Sequence, residues 1–117
     1  MPDVTILHNP RCSNSRRALE ACSIAGVELE VVRYLDEPLS HDALRELLTI
    51  LSDPPSALVR RDPLFRELGL RDADVQTAEQ VAAVLAAHPS LMQRPVLQRG
   101  GAAIIGRPPE RVAAFLA

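Results

Sequence analysis

The sequence predicts a single α/β domain in which a β-α-β unit is followed by a helical insertion and then by a β-β-α unit. Three observations predict it. A short apolar run, Val4 to His8, is followed by helical spacing and then by a second strand-like stretch, with room between them for a parallel crossover. Pro95 to Gln98 and Ala102 to Ile105 flank Arg99-Gly100-Gly101, the pattern of a β-hairpin. Roughly residues 36–90, between these two parts, carry helical spacing broken by prolines.

Each element has a local reason. Val4 to His8 stops at Asn9-Pro10, a turn signal. Helical spacing starts at Ser13, with Ala18, Leu19, Cys22 and Ala25 recurring every three or four residues, and Gly26 supplies a stop. Val27 to Leu35 alternates apolar and polar for much of its length, as a strand does. Ser40 is the expected N-cap of a helix through Leu51 that carries Leu44, Leu47, Leu48 and Leu51 on one face. Asp53-Pro54-Pro55 breaks the chain, and Ser56 to Arg61 and Pro63 to Leu68 then read as two short helices, the second stopped by Gly69. Thr77 with Gln80 forms a capping box that opens a helix to about His88, which Pro89 ends. Pro109 starts the last helix. This order is the layout of a thioredoxin-like fold, one mixed four-stranded sheet with helices on its faces. Ferredoxin-like and other α/β sandwiches share parts of it.

Composition narrows the function. The 117 residues are enough for one domain, residues 1–117, which can bury a core without disulfides. The apolar fraction is 47%, so a disordered chain is not expected. The only aromatic residues are Tyr34, Phe65 and Phe115, which argues against a base-stacking platform, and a net charge of -2 argues against general phosphate-backbone binding. No nucleic-acid partner is therefore expected. All 13 basic side chains are arginine, which excludes a Schiff-base or P-loop lysine. No apolar run reaches the ~18–20 residues of a membrane span, and the start of the chain lacks the features of a signal peptide. A cytoplasmic, reducing location without membrane contact is expected. Cys12 and Cys22 are too few for a disulfide scaffold, their spacing fits no zinc pattern, and His8, His41 and His88 are scattered, so no metal site is expected.

The chemistry gathers at Cys12. It falls after a strand and before a helix, where first-turn amides and the helix dipole favour an anion. Arg11, Arg16 and Arg17 lie within about a turn. Such thiols have pKa values lowered from ~8.5 to roughly 3.5–7.5, so a nucleophilic thiolate is expected. Free cysteines more often act as small buried hydrophobes, but the polar setting Arg-Cys-Ser-Asn-Ser-Arg argues against burial here. Cys22, on the apolar face of the helix, reads as core. Ser15 occupies the place where a C-x-x-C pair would put its second thiol. A redox cycle therefore needs an external thiol, such as glutathione or a redox protein.

The segment His8-Asn9-Pro10-Arg11-Cys12-Ser13-Asn14-Ser15-Arg16 resembles the active-site loop of the ArsC family, the glutaredoxin-coupled arsenate reductases. Tyr34 to Ser40, Ala57 to Arg61 with Phe65 to Leu70, His88 to Val96 and Gly106 to Glu110 resemble further family motifs, in order and at suitable spacing over nearly the whole chain. The resemblance implies that Cys12 is the nucleophile, that Arg60, Arg94 and Arg107 bind the oxyanion, and that the bond before Pro95 is cis. It implies arsenate as substrate, glutathione as co-substrate with no bound cofactor, glutaredoxin as partner, and a monomer. Arginine suits such a substrate because it stays charged and offers a fixed fork of donors. His8 fits either a cation beside the thiolate or a structural imidazole. Asn9 and Ser15 are candidates to bond the sulfur or anchor the loop, and Arg16 to line the site or to lie on the surface. Asn14 stands where many relatives carry lysine. Two other functions fit the same residues: a related thiol oxidoreductase acting on glutathionylated or other substrates, and a regulator like Spx that binds RNA polymerase. Spx-like proteins usually carry C-x-x-C, which Ser15 breaks.

Overall fold

The computed structural model describes residues 3–117. The chain forms two compact units, one containing residues up to Glu37 together with Arg94–Ala117, the other Pro38–Gln93.

The first unit holds the whole sheet. Strands β1 (Val4–Leu7), β2 (Leu29–Val32), β3 (Val96–Arg99) and β4 (Ala102–Ile105) lie in the order β2-β1-β3-β4. β1 and β2 are parallel, and the β1–β3 and β3–β4 pairs are antiparallel, so the sheet is mixed. Helices α1 (Ser13–Ala25) and α5 (Glu110–Leu116) belong to this unit. The crossover from β1 to β2 runs through α1, whose C-cap, Gly26, takes the left-handed conformation at φ 70. Register explains the core. Ile6 pairs with Leu97, and Leu97 with Ile104, so these three form one row on one face of the sheet. With Val4 they pack in one cluster with Ala18 and Cys22 of α1 and Val112 and Leu116 of α5. Cys22 is thus a core residue, as its helical position predicts. Ala25 is exposed, although it shares the repeat. The β3–β4 loop has two residues, and Gly100, at φ 60, supplies the positive angle that a type II′ turn requires at its first position.

The next row of the sheet sets the position of the site. Leu7 pairs with both Val32 and Val96, and Val96 pairs with Ile105. The chain leaves β1 and β2, enters β3 and leaves β4 at this one end of the sheet. Residues just beyond the row are therefore brought together from four distant stretches of sequence.

The second unit is helical. α2 (His41–Ile50) packs against α4 (Ala78–Ala87), with the short α3 (Pro63–Glu67) between them in sequence. Ser40 caps α2 by accepting the Ala43 N–H at 3.1 Å, and Leu44, Leu47 and Leu48 are buried on the expected face while Leu51 is half-buried. Thr77 and Gln80 exchange both capping-box hydrogen bonds, at 3.0 and 3.1 Å. Glu79, in the first turn of α4, pairs with both His41 and Arg45 of α2.

Two expectations need correction. The strand expected over Val27 to Leu35 is ordered only over Leu29–Val32, because β2 is an edge strand whose length is set by its single four-residue partner. The short helix expected over Ser56 to Arg61 is a 3-10 turn at Pro55–Leu58 followed by extended chain. There Val59 bridges Met92, and the Arg60 N–H donates to the Leu91 carbonyl at 2.8 Å. Two further 3-10 turns, Asp72–Val75 and Pro89–Leu91, were not foreseen, and each buries one apolar residue, Val75 and Leu91. Among the described residues, no helix is long and apolar enough to cross a membrane.

Candidate active site

The loop from β1 to α1 is shaped by its own side chains. Pro10 and Arg11 form the corner of a turn closed by the Cys12 N–H donating to the Asn9 carbonyl at 3.0 Å. Asn9 Oδ1 accepts the Arg11 N–H at 3.0 Å, the local bond that suits asparagine to turns. Ser15 Oγ accepts the Asn9 N–H at 3.0 Å and lies 2.7 Å from His8 Nδ1. The hydroxyl oxygen has two lone pairs, so the imidazole tautomer sets which of the two groups donates in the His8–Ser15 bond. Ser15 therefore anchors the loop. Arg16 Nη1 donates to the Pro10 carbonyl at 2.9 Å from an exposed position, and so braces the loop from outside.

These bonds fix Cys12 as the N-cap of α1. The thiol makes no full capping bond, but the amides of Asn14 and Ser15 face it. Cys12 is only 9% exposed, so the expectation that polar neighbours would keep it out of the interior does not hold. Burial pushes its pKa up. The Ser15 amide, the Arg94 guanidinium and the Asn14 amide favour the thiolate and outweigh burial, leaving the pKa below its ordinary value. The direction matches the sequence argument, but the charged partner differs. Arg94, far away in sequence, acts on the sulfur, whereas Arg11, Arg16 and Arg17 are exposed.

Arg107 completes this arrangement. Its Nη2 lies 3.6 Å from Cys12 Sγ, and its Nε donates to the Arg94 carbonyl at 2.7 Å. Both arginines precede cis prolines, Pro95 and Pro108. The first is the bond that the family resemblance implies; the second was not foreseen. Pro95 is buried, and its carbonyl accepts the Gly106 N–H at 2.8 Å, which ties the entry to β3 against the exit from β4. A Cβ on Gly106 would stand 2.8 Å from the Pro95 Cγ, so only glycine fits there.

His8 is buried, and its pKa is lowered by burial first and then by Arg33 and Arg16. At neutral pH it is a neutral imidazole held by Ser15, which favours the structural alternative over a cation beside the thiolate. Arg60 lies in the helical unit, where its Nη1 pairs with Asp62 at 3.3 Å. Sequence reasoning did not single out Tyr34 as a site residue. It is fully buried two residues after β2, and its hydroxyl faces Asn9 and Arg94. The signal available was an aromatic residue just past the end of a strand parallel to β1.

A mixed four-stranded sheet with a cysteine capping the helix after its first strand defines a thioredoxin-like protein with an activated thiol and adjacent arginines. A model of the ArsC family matches residues 7–115, and the chain belongs to that family. It is 38% identical to an arsenate reductase of Neisseria meningitidis over 99% of this chain and 100% of that one. It is 37% identical to an arsenate reductase of Escherichia coli, over 83% of this chain and 69% of that protein. The solved structure of an arsenate reductase from Vibrio cholerae superposes with a TM-score of 0.85 at 35% identity, covering 97% of each chain.

Proposed function

We propose that the protein reduces arsenate to arsenite, with Cys12 as nucleophile and glutathione and glutaredoxin as the source of electrons. One observation above others supports this reading: Arg107 Nη2 lies 3.6 Å from Cys12 Sγ while Arg94 faces the same sulfur. Two guanidinium groups beside a thiolate suit a tetrahedral dianion that must approach another negative charge, because each neutralises charge on both partners. The names of its relatives in Neisseria and Escherichia support the same substrate.

In the proposed sequence, the Cys12 thiolate attacks arsenic, and an arsenate oxygen leaves as water after taking up protons. Helix-end amides and the arginines hold the remaining oxygens. A glutathione thiol then supplies the second sulfur. Two thiols give up two electrons in becoming a mixed disulfide, arsenic passes from the V to the III state, and glutaredoxin reduces the disulfide. The external thiol is needed because Ser15 stands where a local partner would be, and Cys22 is buried in the core with its pKa raised by burial. His8, Asn9, Ser15 and Arg16 act in this scheme by fixing the loop. Arg60 is proposed as a third oxyanion ligand on the family resemblance alone.

The test is a coupled assay with glutathione, glutaredoxin, glutathione reductase and NADPH. Arsenate should trigger NADPH oxidation by the wild type, Cys12→Ser should abolish it, and Cys22→Ala should retain it. Turnover with a glutathionylated protein and none with arsenate would transfer the site to a different substrate.

A further inference from the structure

Tyr34 carries a hydroxyl with no well-formed hydrogen bond among the described residues, although its side chain is fully buried. A buried hydroxyl left in this state carries a standing free-energy cost, so it calls for an explanation. Its surroundings supply one. The hydroxyl faces the Arg94 guanidinium and the Asn9 side chain, and it lies within the field of the Cys12 sulfur. A guanidinium has donors only, so it cannot take the phenolic proton. Asn9 Oδ1 accepts the Arg11 N–H and, although it has a second lone pair, makes no bond of normal geometry to the phenol. What is missing is an acceptor.

Topology places that vacant donor at the site. Val32, the last residue of β2, pairs with Leu7, the last of β1, and the His8 N–H donates to the Val32 carbonyl at 2.8 Å. Tyr34 and Cys12 thus follow two neighbouring parallel strands out of the same end of the sheet, the end at which Arg94 enters and Arg107 leaves. Resting on the oxyanion reading above, we propose that the Tyr34 hydroxyl donates a hydrogen bond to an oxygen of the bound tetrahedral anion, alongside Arg94 and Arg107. The phenol keeps its proton for this role, because burial raises its pKa more than Arg94 and Asn9 lower it. A neutral donor also adds specificity: it favours a ligand with an oxygen acceptor aimed at it over one held by charge alone.

Tyr34→Phe removes this hydroxyl and leaves the ring. Its binding is measured by titration calorimetry with arsenate and with sulfate, a tetrahedral anion that thiols do not reduce, beside wild type and Arg107→Ala. The affinity of Tyr34→Phe for both anions should fall about tenfold or more, the usual share of one hydrogen bond to a charged group. Its thermal midpoint should equal or exceed that of wild type, since no bond within the protein is lost. Its Cys12 alkylation profile against pH should be unchanged. Wild-type affinity in the variant would overturn the inference and make the hydroxyl's partner a water. A raised Cys12 pKa with unchanged anion affinity would overturn it by assigning the proton to the sulfur, and a lowered thermal midpoint would assign it to the fold. If wild type and Arg107→Ala bind both anions equally weakly, the oxyanion reading itself fails, which is a different result from failure at Tyr34 alone.

Discussion

Gly106→Ala tests how the arginines are held. Gly106 lies between the end of β4 and Arg107, and its φ is not in the left-handed region, so glycine is needed there for space. An added Cβ would stand 2.8 Å from Pro95 Cγ, 3.0 Å from Val112 Cγ2 and 3.2 Å from Leu97 Cδ1. Carbon atoms pack at about 3.5–4.0 Å. The nearest neighbour belongs to a closed ring whose backbone accepts the Gly106 N–H, so it cannot rotate away. Overpacking of this kind costs about 1–3 kcal/mol, and the lower entropy of an unfolded alanine chain returns about 0.4–1 kcal/mol. The expected net loss is about 1–2 kcal/mol, or roughly 4–12 °C in Tm for a domain of this size. Movement of Pro95 also carries Arg94, so activity should fall in protein that is still folded. Urea and thermal unfolding, with the coupled assay run well below the midpoint, read both effects. A variant as stable and as active as wild type would refute the argument that close approach of these two segments sets the arginine positions.

Two further outcomes follow from the same structure. Thr77→Ala removes the hydroxyl that accepts the Gln80 N–H and should cost about 0.5–2 kcal/mol in urea unfolding, with activity retained below the midpoint. His8, lowered in pKa by burial and by Arg33 and Arg16, binds its proton more readily when unfolded, so its contribution to stability should shrink as pH falls below about 6.5. The NMR titration of its ring should show a midpoint below that value.

The elements that were legible in the sequence are those whose reasons are local. Asn9-Pro10, Gly26, Ser40, the Thr77–Gln80 box and Gly100 each act on backbone within a few residues, and each does what its chemistry predicts. What failed depended on distant partners. Val59 leaves the predicted helix because Met92 pairs with it, and β2 is short because β1 is. The same division holds at the site. Placement after a strand and before a helix marks Cys12, and position 15 excludes a second local thiol. Spacing alone credited the wrong cations, since Arg11, Arg16 and Arg17 are sequence neighbours that end up exposed. The family resemblance pointed to Arg94 and Arg107, which reach the sulfur only through the pairing of β1, β3 and β4. Tyr34 left no signal beyond its position, because a vacant hydroxyl is visible only once its surroundings are known.

Helix amides and arginine favour the Cys12 thiolate despite the burial of the sulfur. Its rate of alkylation against pH, followed by mass spectrometry at the peptide containing Cys12, tests this directly. The folded protein should show an inflection below the free-cysteine value of ~8.5, with reaction persisting as the pH falls toward neutral. An inflection at or above that value would contradict the account, because burial would then have outweighed the amides and Arg94.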